Sequence, residues 1–251
     1  MLFLQDPAES KLQRLFQRFA SRLHRLTFSL TFPLYEWLYL LWSCPEMLPP
    51  LWRILSFSWG RDPYTAITRM PPDLRKHGHP DDLVYGEIIL PTFDRILRAL
   101  RLGPTDCLVD LGCGRGRLVM MAAARGIRAH GIELVPLHLR CAKYAASPYL
   151  PLTSFEQADI LQADLSQATV FWASGTCWSD PLREQIAARI AQLLPNTRVI
   201  SVSSPLPHPR LETLRTFYGW TTWGRDAFFL QRVLPATQEA HPSASSASPR
   251  T

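Results

Sequence analysis

The sequence predicts an α/β protein built on a doubly wound, mostly parallel sheet. Three observations carry this. Residues 107–133, CLVDLGCGRGRLVMMAAARGIRAHGIE, read as a strand, a glycine loop, an alanine-rich helix and a second strand. An acid, Glu133, closes the second strand about twenty residues beyond the first glycine, the spacing that holds an adenosine cofactor. Apolar strand-like and helix-like runs then alternate as far as Val233.

The N-terminal part reads differently. In residues 11–26, Leu12, Leu15, Phe16, Phe19, Ala20, Leu23 and Leu26 share one helical stripe, with Lys11, Arg14, Arg18, Arg22 and Arg25 off it. Such a basic amphipathic helix suits an anionic membrane surface or an apolar face of the same chain. Residues 26–43 are apolar and aromatic and near the minimum length for a membrane span. Pro33 and the charge of Glu36 oppose a straight crossing. Cys44 to Pro50 carries three prolines, and Leu51 to Trp59 is a second apolar run. The expected division is a hydrophobic and basic helical extension over 1–60, a linker over 61–84, a catalytic domain over 85–234 and a disordered Ser/Ala/Pro-rich tail over 235–251.

Within the catalytic domain, Thr92 to Leu102 places Phe93, Ile96, Leu97 and Leu100 on one helical face. Cys107 to Leu111 is the first strand, and Gly112, Gly114 and Gly116 form the loop after it. Leu118 to Arg125 is a helix ended by Gly126, and Ile127 to Ile132 the second strand. Leu134 to Ala146 reads as a helix, Phe155 to Ala158 as a strand and Thr169 to Trp172 as the next. Pro181 to Leu194 is a helix, and Arg198 to Val202 the fifth strand. Thr221 to Trp223 and Ala227 to Val233 read as a closing hairpin around Gly224-Arg225-Asp226.

The glycine loop selects the cofactor. A dinucleotide fingerprint needs a third small residue at position 117, which is Arg117. The glycines run G-x-G-x-G, and the strand delivers Asp110 directly before them. An acid there repels a pyrophosphate but suits the α-ammonium of S-adenosylmethionine (SAM). Glycine removes the Cβ that would block backbone approach, and Glu133 can accept from both ribose hydroxyls.

VDLGCGRG with GIE resembles the class I, seven-stranded SAM-dependent methyltransferases, whose sheet is Rossmann-like. Val84-Tyr85-Gly86-Glu87 resembles the Tyr-Gly-Glu element of Dot1-type lysine methyltransferases. Arg198-Val199-Ile200-Ser201 to Pro205-Leu206-Pro207-His208 resembles the small lysine methyltransferases of the ATP synthase rotor ring. The resemblance covers roughly residues 83 to 233. It implies that Tyr85 and Glu87 sit on a loop over the methionine part of SAM. It also implies that Asp159 and Ile160 receive the adenine amino group and ring face; Asp164 is a rival acid. Dot1-like enzymes place an asparagine where this chain has Ala173. Ser174, Thr176 and Trp178 follow, and Ser174 and Trp178 are the expected residues at the transferred methyl, with Ser179 or Asp180 as a helix cap. The ring-modifying enzymes also carry a hydrophobic segment before the domain, which favours membrane association of 11–59.

Composition narrows the partners. A net charge of +6 permits an acidic partner without demanding nucleic acid, and no basic stripe interleaved with aromatics marks the catalytic domain as an RNA binder. Five cysteines with no C-x-x-C point to a reducing compartment, and the expected location is cytoplasmic, peripheral to or anchored at the inner face of a membrane. No metal is expected: zinc and Walker spacings are absent, and His77 and His79 read as a solvated loop. The expected activity is methyl transfer from SAM to a protein lysine near a membrane, with a lipid, small molecule or RNA as alternative acceptors, or SAM binding without catalysis. All expected SAM ligands lie beyond position 84, so deleting residues 1–60 is expected to leave SAM binding nearly intact.

Overall fold

A computed structural model describes residues 31, 33–59, 66, 70, 71, 80–83, 85–147 and 151–235. The basic amphipathic segment 11–26, residues 236–251 of the tail, Val84, His77 and His79 lie outside the described residues.

Seven strands form one sheet in the order β3-β2-β1-β4-β5-β7-β6. They are β1 (Cys107–Leu111), β2 (Arg128–Glu133), β3 (Thr153–Gln157), β4 (Val170–Ala173), β5 (Arg198–Val202), β6 (Leu211–Thr221) and β7 (Gly224–Val233). Strands β1 to β5 pair in parallel, and β7 runs antiparallel to β5 and β6. The chain reverses direction across the sheet between β1 and β4, so the carboxyl ends of these two strands border the crevice where ligands of such sheets gather.

Helices flank both faces: α1 (residues 33–43), α2 (Leu48–Ser58), α3 (Leu90–Leu100), α4 (Arg117–Ala124), α5 (Pro136–Ala145) and α6 (Asp180–Ala191). The strands sort their side chains with period two. Leu108, Val170, Trp172, Ile200 and Phe228 face α3 and α4, whereas Val109, Phe171, Ala173 and Val199 face α6. Strands covered on both faces read as continuous apolar runs, which is why β1, β4 and β5 are legible in the sequence.

The N-terminal helices belong to the first of these layers. Leu40, Cys44, Met47, Leu51 and Ile54 are buried in the same cluster as Phe93, Met120 and Trp172. Tyr39 donates to Asp94 Oδ2 at 2.5 Å, and Asp94 also receives Arg125 at 2.7 Å. The opposite side of α1 and α2 is open: Trp42 is 91% exposed, Trp52 67% and Trp59 87%, beside exposed Leu34, Tyr35, Leu38 and Leu41. None of the described helices is long and apolar enough to cross a membrane.

The closing hairpin departs from expectation. Strand β6 spans eleven residues and begins at Leu211, and the turn is Thr222-Trp223, with Thr221 paired to Gly224. Gly224 to Asp226, expected as the turn, starts β7. Strand β6 is the edge strand, largely exposed, and its register shifts between Thr213 and Arg215. An exposed edge needs no apolar alternation, and the shift breaks what alternation there is.

Candidate active site

Cavity geometry follows from the carboxyl ends of β1, β2 and β4. A cavity of about 520 Å³ opens there, within the range of small-molecule sites. Tyr85, Gly112, Glu133, Asp159, Ile160, Ser174 and Trp178 line it. A narrow recess of about 40 Å³ adjoins it, lined by Glu87, Asp110, Gly114, Arg115 and Arg117. Tyr85, Gly86, Gly112 and Ser174 border both. Of the expected residues, Gly116 lines neither. It lies at φ +76°, and a Cβ there would meet Phe155 and Ala142 at 2.8–2.9 Å, so its smallness serves helix–strand packing. Asp164 lies outside both cavities, accepting from the Ser166 amide at 2.9 Å.

The glycine loop is held from below and from the side. The amides of Gly112 and Cys113 both donate to Ile132 O at 2.9 Å. Glu133 accepts from the Gly114 amide through Oε2 and from the Val135 amide through Oε1, each at 2.7 Å. Glu133 also lines the cavity. Gly112 lies at φ +79° with nothing within 4 Å of where a Cβ would stand, an open cradle over the backbone.

Two buried acids dominate the electrostatics. Burial, and then the nearby charge of Glu133, push the Asp110 carboxyl up to about 8. Burial also raises the Glu133 carboxyl. A pyrophosphate would meet both acids, whereas a cationic group would draw Asp110 into its ionised form. An open cradle beside a buried, proton-holding acid therefore fits SAM. Asp110 would hold its α-ammonium, and Glu133 its ribose.

Tyr85 roofs the recess. Its ring lies 2.7 Å from where a Cβ on Gly114 would stand, and 4.5 Å, centroid to centroid, from His138. Its hydroxyl donates to Glu87 Oε1. Burial would raise the Glu87 carboxyl, but the Arg117 and Arg115 guanidiniums outweigh it and hold it at about 2. The Tyr-Gly-Glu segment is fastened to the hairpin as well: the Thr222 amide donates to Glu87 O at 3.1 Å, and Trp223 packs against Gly86.

At the far side, Ser174 Oγ accepts from Trp172 Nε1 at 2.7 Å, which leaves the hydroxyl proton and one lone pair for the cavity. Ser179 occupies the N-cap position of α6, but its hydroxyl reaches Asp82 Oδ2 at 3.2 Å instead of a helix amide. The cap expected there is in fact a tether for the 80–83 segment.

The strand order, the cavity at the ends of β1, β2 and β4 and the acid–glycine loop have counterparts in known proteins. A family model described as Methyltransferase domain matches residues 108–196. A Salinibacter ruber RNA methyltransferase structure with S-adenosyl-L-homocysteine is 29% identical, with a TM-score of 0.51 over 59% of this chain and 94% of that one. The chain has the fold of the class I SAM-dependent methyltransferases. A second model, described as Histone methylation protein DOT1, matches residues 64–150. A histone H3 lysine-79 methyltransferase of Cryptococcus neoformans is 34% identical over 74 residues, 29% of this chain and 12% of that protein. A lysine N-methyltransferase of Caenorhabditis elegans, named for the ATP synthase c-subunit, is 26% identical over 152 residues, 57% of this chain and 75% of that one. The chain thus spans about an eighth of the histone enzyme's length and three quarters of the Caenorhabditis enzyme's.

Several residues of this site escaped sequence reasoning. Arg117 served there only to exclude a dinucleotide, yet it is buried and pairs with Glu87 and Glu36. Arg115 binds Glu87 at 2.5 Å and donates to Ser58 Oγ at 3.3 Å. A sequence signal existed: two arginines flank Gly116 at the start of an otherwise apolar helix. These contacts, with the burial of Leu40, Cys44, Met47, Leu51 and Ile54, tie residues 36–58 to the domain that carries the site, where the sequence reads them as part of a separate extension.

Proposed function

We propose that the protein transfers the methyl group of SAM to a lysine amine of a protein acceptor. The observation that carries this reading is the Tyr85-Gly86-Glu87 segment seated on the glycine loop beside Ser174, in the stretch that resembles Dot1-type enzymes. When bound, SAM supplies an electrophilic methyl on a sulfonium. The protein's own work is positioning and desolvation. Asp110 anchors the amino acid end, and Asp159 and Ile160 the adenine. Ser174 accepts one N–H of the incoming amine and so aims its lone pair. Trp178 and Trp223, both on the cavity wall, keep water away and favour the uncharged amine.

The exposed Trp42, Trp52 and Trp59 face, in a chain whose residues 11–25 are rich in Lys and Arg, supports docking at the inner surface of a membrane. Aromatic side chains favour the interface, and each basic residue adds on the order of 1 kcal/mol at an anionic surface.

Incubation of the protein with labelled SAM and a lysate, followed by protease or nuclease, tests the acceptor. Label lost to protease and recovered on lysine supports the reading. Label lost only to nuclease refutes it in favour of RNA, the acceptor named for the Salinibacter relative.

A further inference from the structure

We propose that Glu36, on α1, is a positioning residue of the SAM site, acting through Arg117 and Glu87 on Tyr85. The proposal rests on the reading that the cavity binds SAM.

The geometry is a continuous chain of charged groups from the N-terminal helix to the cavity wall. Arg117 opens α4 directly after the glycine loop and is 9% exposed. Its fork is divided: one terminal nitrogen pairs with Glu36 Oε2 and the other with Glu87 Oε2. Glu87 Oε1 in turn accepts from Tyr85 and Arg115. Tyr85 lies on Gly114 and lines both cavities. Glu36 is itself fixed by its other oxygen, which accepts from the Leu90 amide at the start of α3 at 2.6 Å. Two carboxylates and two guanidiniums balance in this cluster. Without the Glu36 charge, Arg117 has only Glu87 to pair with. The shared carboxylate then shifts toward Arg117 and away from Tyr85 and Arg115, because a buried guanidinium takes whatever anion is in reach. The roof of the recess moves with it.

A structural ion pair would give stability alone, and three variants separate the two roles. Glu36→Gln keeps an acceptor for the Leu90 amide but removes the charge facing Arg117. Leu40→Ala, on the same helix and fully buried, loosens α1 without touching the chain of charges. Tyr85→Phe cuts the last link. SAM affinity by calorimetry and melting temperature are read for each, and for Glu36→Gln with Tyr85→Phe combined. The expected result is roughly tenfold weaker SAM binding in Glu36→Gln, no more than about a twofold change in Leu40→Ala at a comparable loss of melting temperature, and a double variant well short of additive. Wild-type affinity in Glu36→Gln, an equal loss in Leu40→Ala, or full additivity with Tyr85→Phe overturns the proposal. Should Glu36→Gln not fold, Arg117→Lys replaces it: lysine cannot bridge both carboxylates, so unchanged affinity there overturns the proposal equally. Absence of SAM binding in the wild type refutes the methyltransferase reading instead.

Discussion

Asp110, next to last in β1, and Glu133, last in the adjacent parallel β2, bring two buried carboxylates to the recess and the cavity it adjoins. Burial, and then the nearby charge of Glu133, make Asp110 hold a proton until about pH 8. An ammonium ligand must displace that proton to gain an ion pair. SAM affinity is therefore expected to rise as pH rises from 6 toward 8, with close to one proton released per SAM bound at pH 6.5. Calorimetry in two buffers of different ionisation enthalpy counts that proton.

The same acid sets a stability signature. A carboxyl with a raised folded-state pKa binds its proton more tightly folded than unfolded. The ligand-free protein then loses stability as pH climbs from about 4 to about 8. Asp110→Asn removes that penalty. At pH 8 it is expected to raise the melting temperature by roughly 5 °C while weakening SAM binding by about 10- to 100-fold. Thermal denaturation with and without SAM reads both.

Glu87 carries the opposite sign. Its carboxyl lies at about 2, below the ordinary 4.5, so its contribution is present above about pH 4.5 and is lost as pH falls toward 2. Glu87→Gln leaves Arg115 and Arg117 short of an anion in the interior. A destabilisation of about 3 kcal/mol is expected at neutral pH, shrinking in acid, by urea unfolding at each pH.

Gly114 lies at φ +54° with the Tyr85 ring 2.7 Å from a Cβ position. Gly114→Ala adds backbone strain of roughly 1–2 kcal/mol and displaces Tyr85. Gly103→Ala, with nothing within 4 Å, is the control. SAM binding is expected to fall only in the first.

The exposed face of α1 and α2 predicts a separable phenotype. Replacing Trp42, Trp52 and Trp59 by serine is expected to reduce flotation with anionic liposomes and leave SAM affinity unchanged. Equal flotation would mean that this face does not dock on membranes.

Legibility in the sequence tracked burial and locality. Strands β1 and β5 matched residue by residue, since both faces of each are covered and the apolar run has sharp ends. The glycine loop and Glu133 were readable because their spacing is local. Strand β6 was not, being an exposed edge with a register shift. The roles of Glu36, Arg115 and Arg117 were hidden for another reason: ion pairs 28 to 81 residues apart leave no periodicity. Glu36 was read as a charge that bars a membrane span, whereas its carboxylate faces inward to Arg117.

The central claim is that the cavity at the ends of β1, β2 and β4 and the recess adjoining it bind SAM, through Asp110 in the recess. Titration calorimetry of the purified protein with SAM tests it most directly. Saturable one-to-one binding is expected, which Asp110→Asn weakens and NAD does not reproduce. No heat and no thermal shift with SAM, or an Asp110→Asn variant that binds as wild type does, would contradict it.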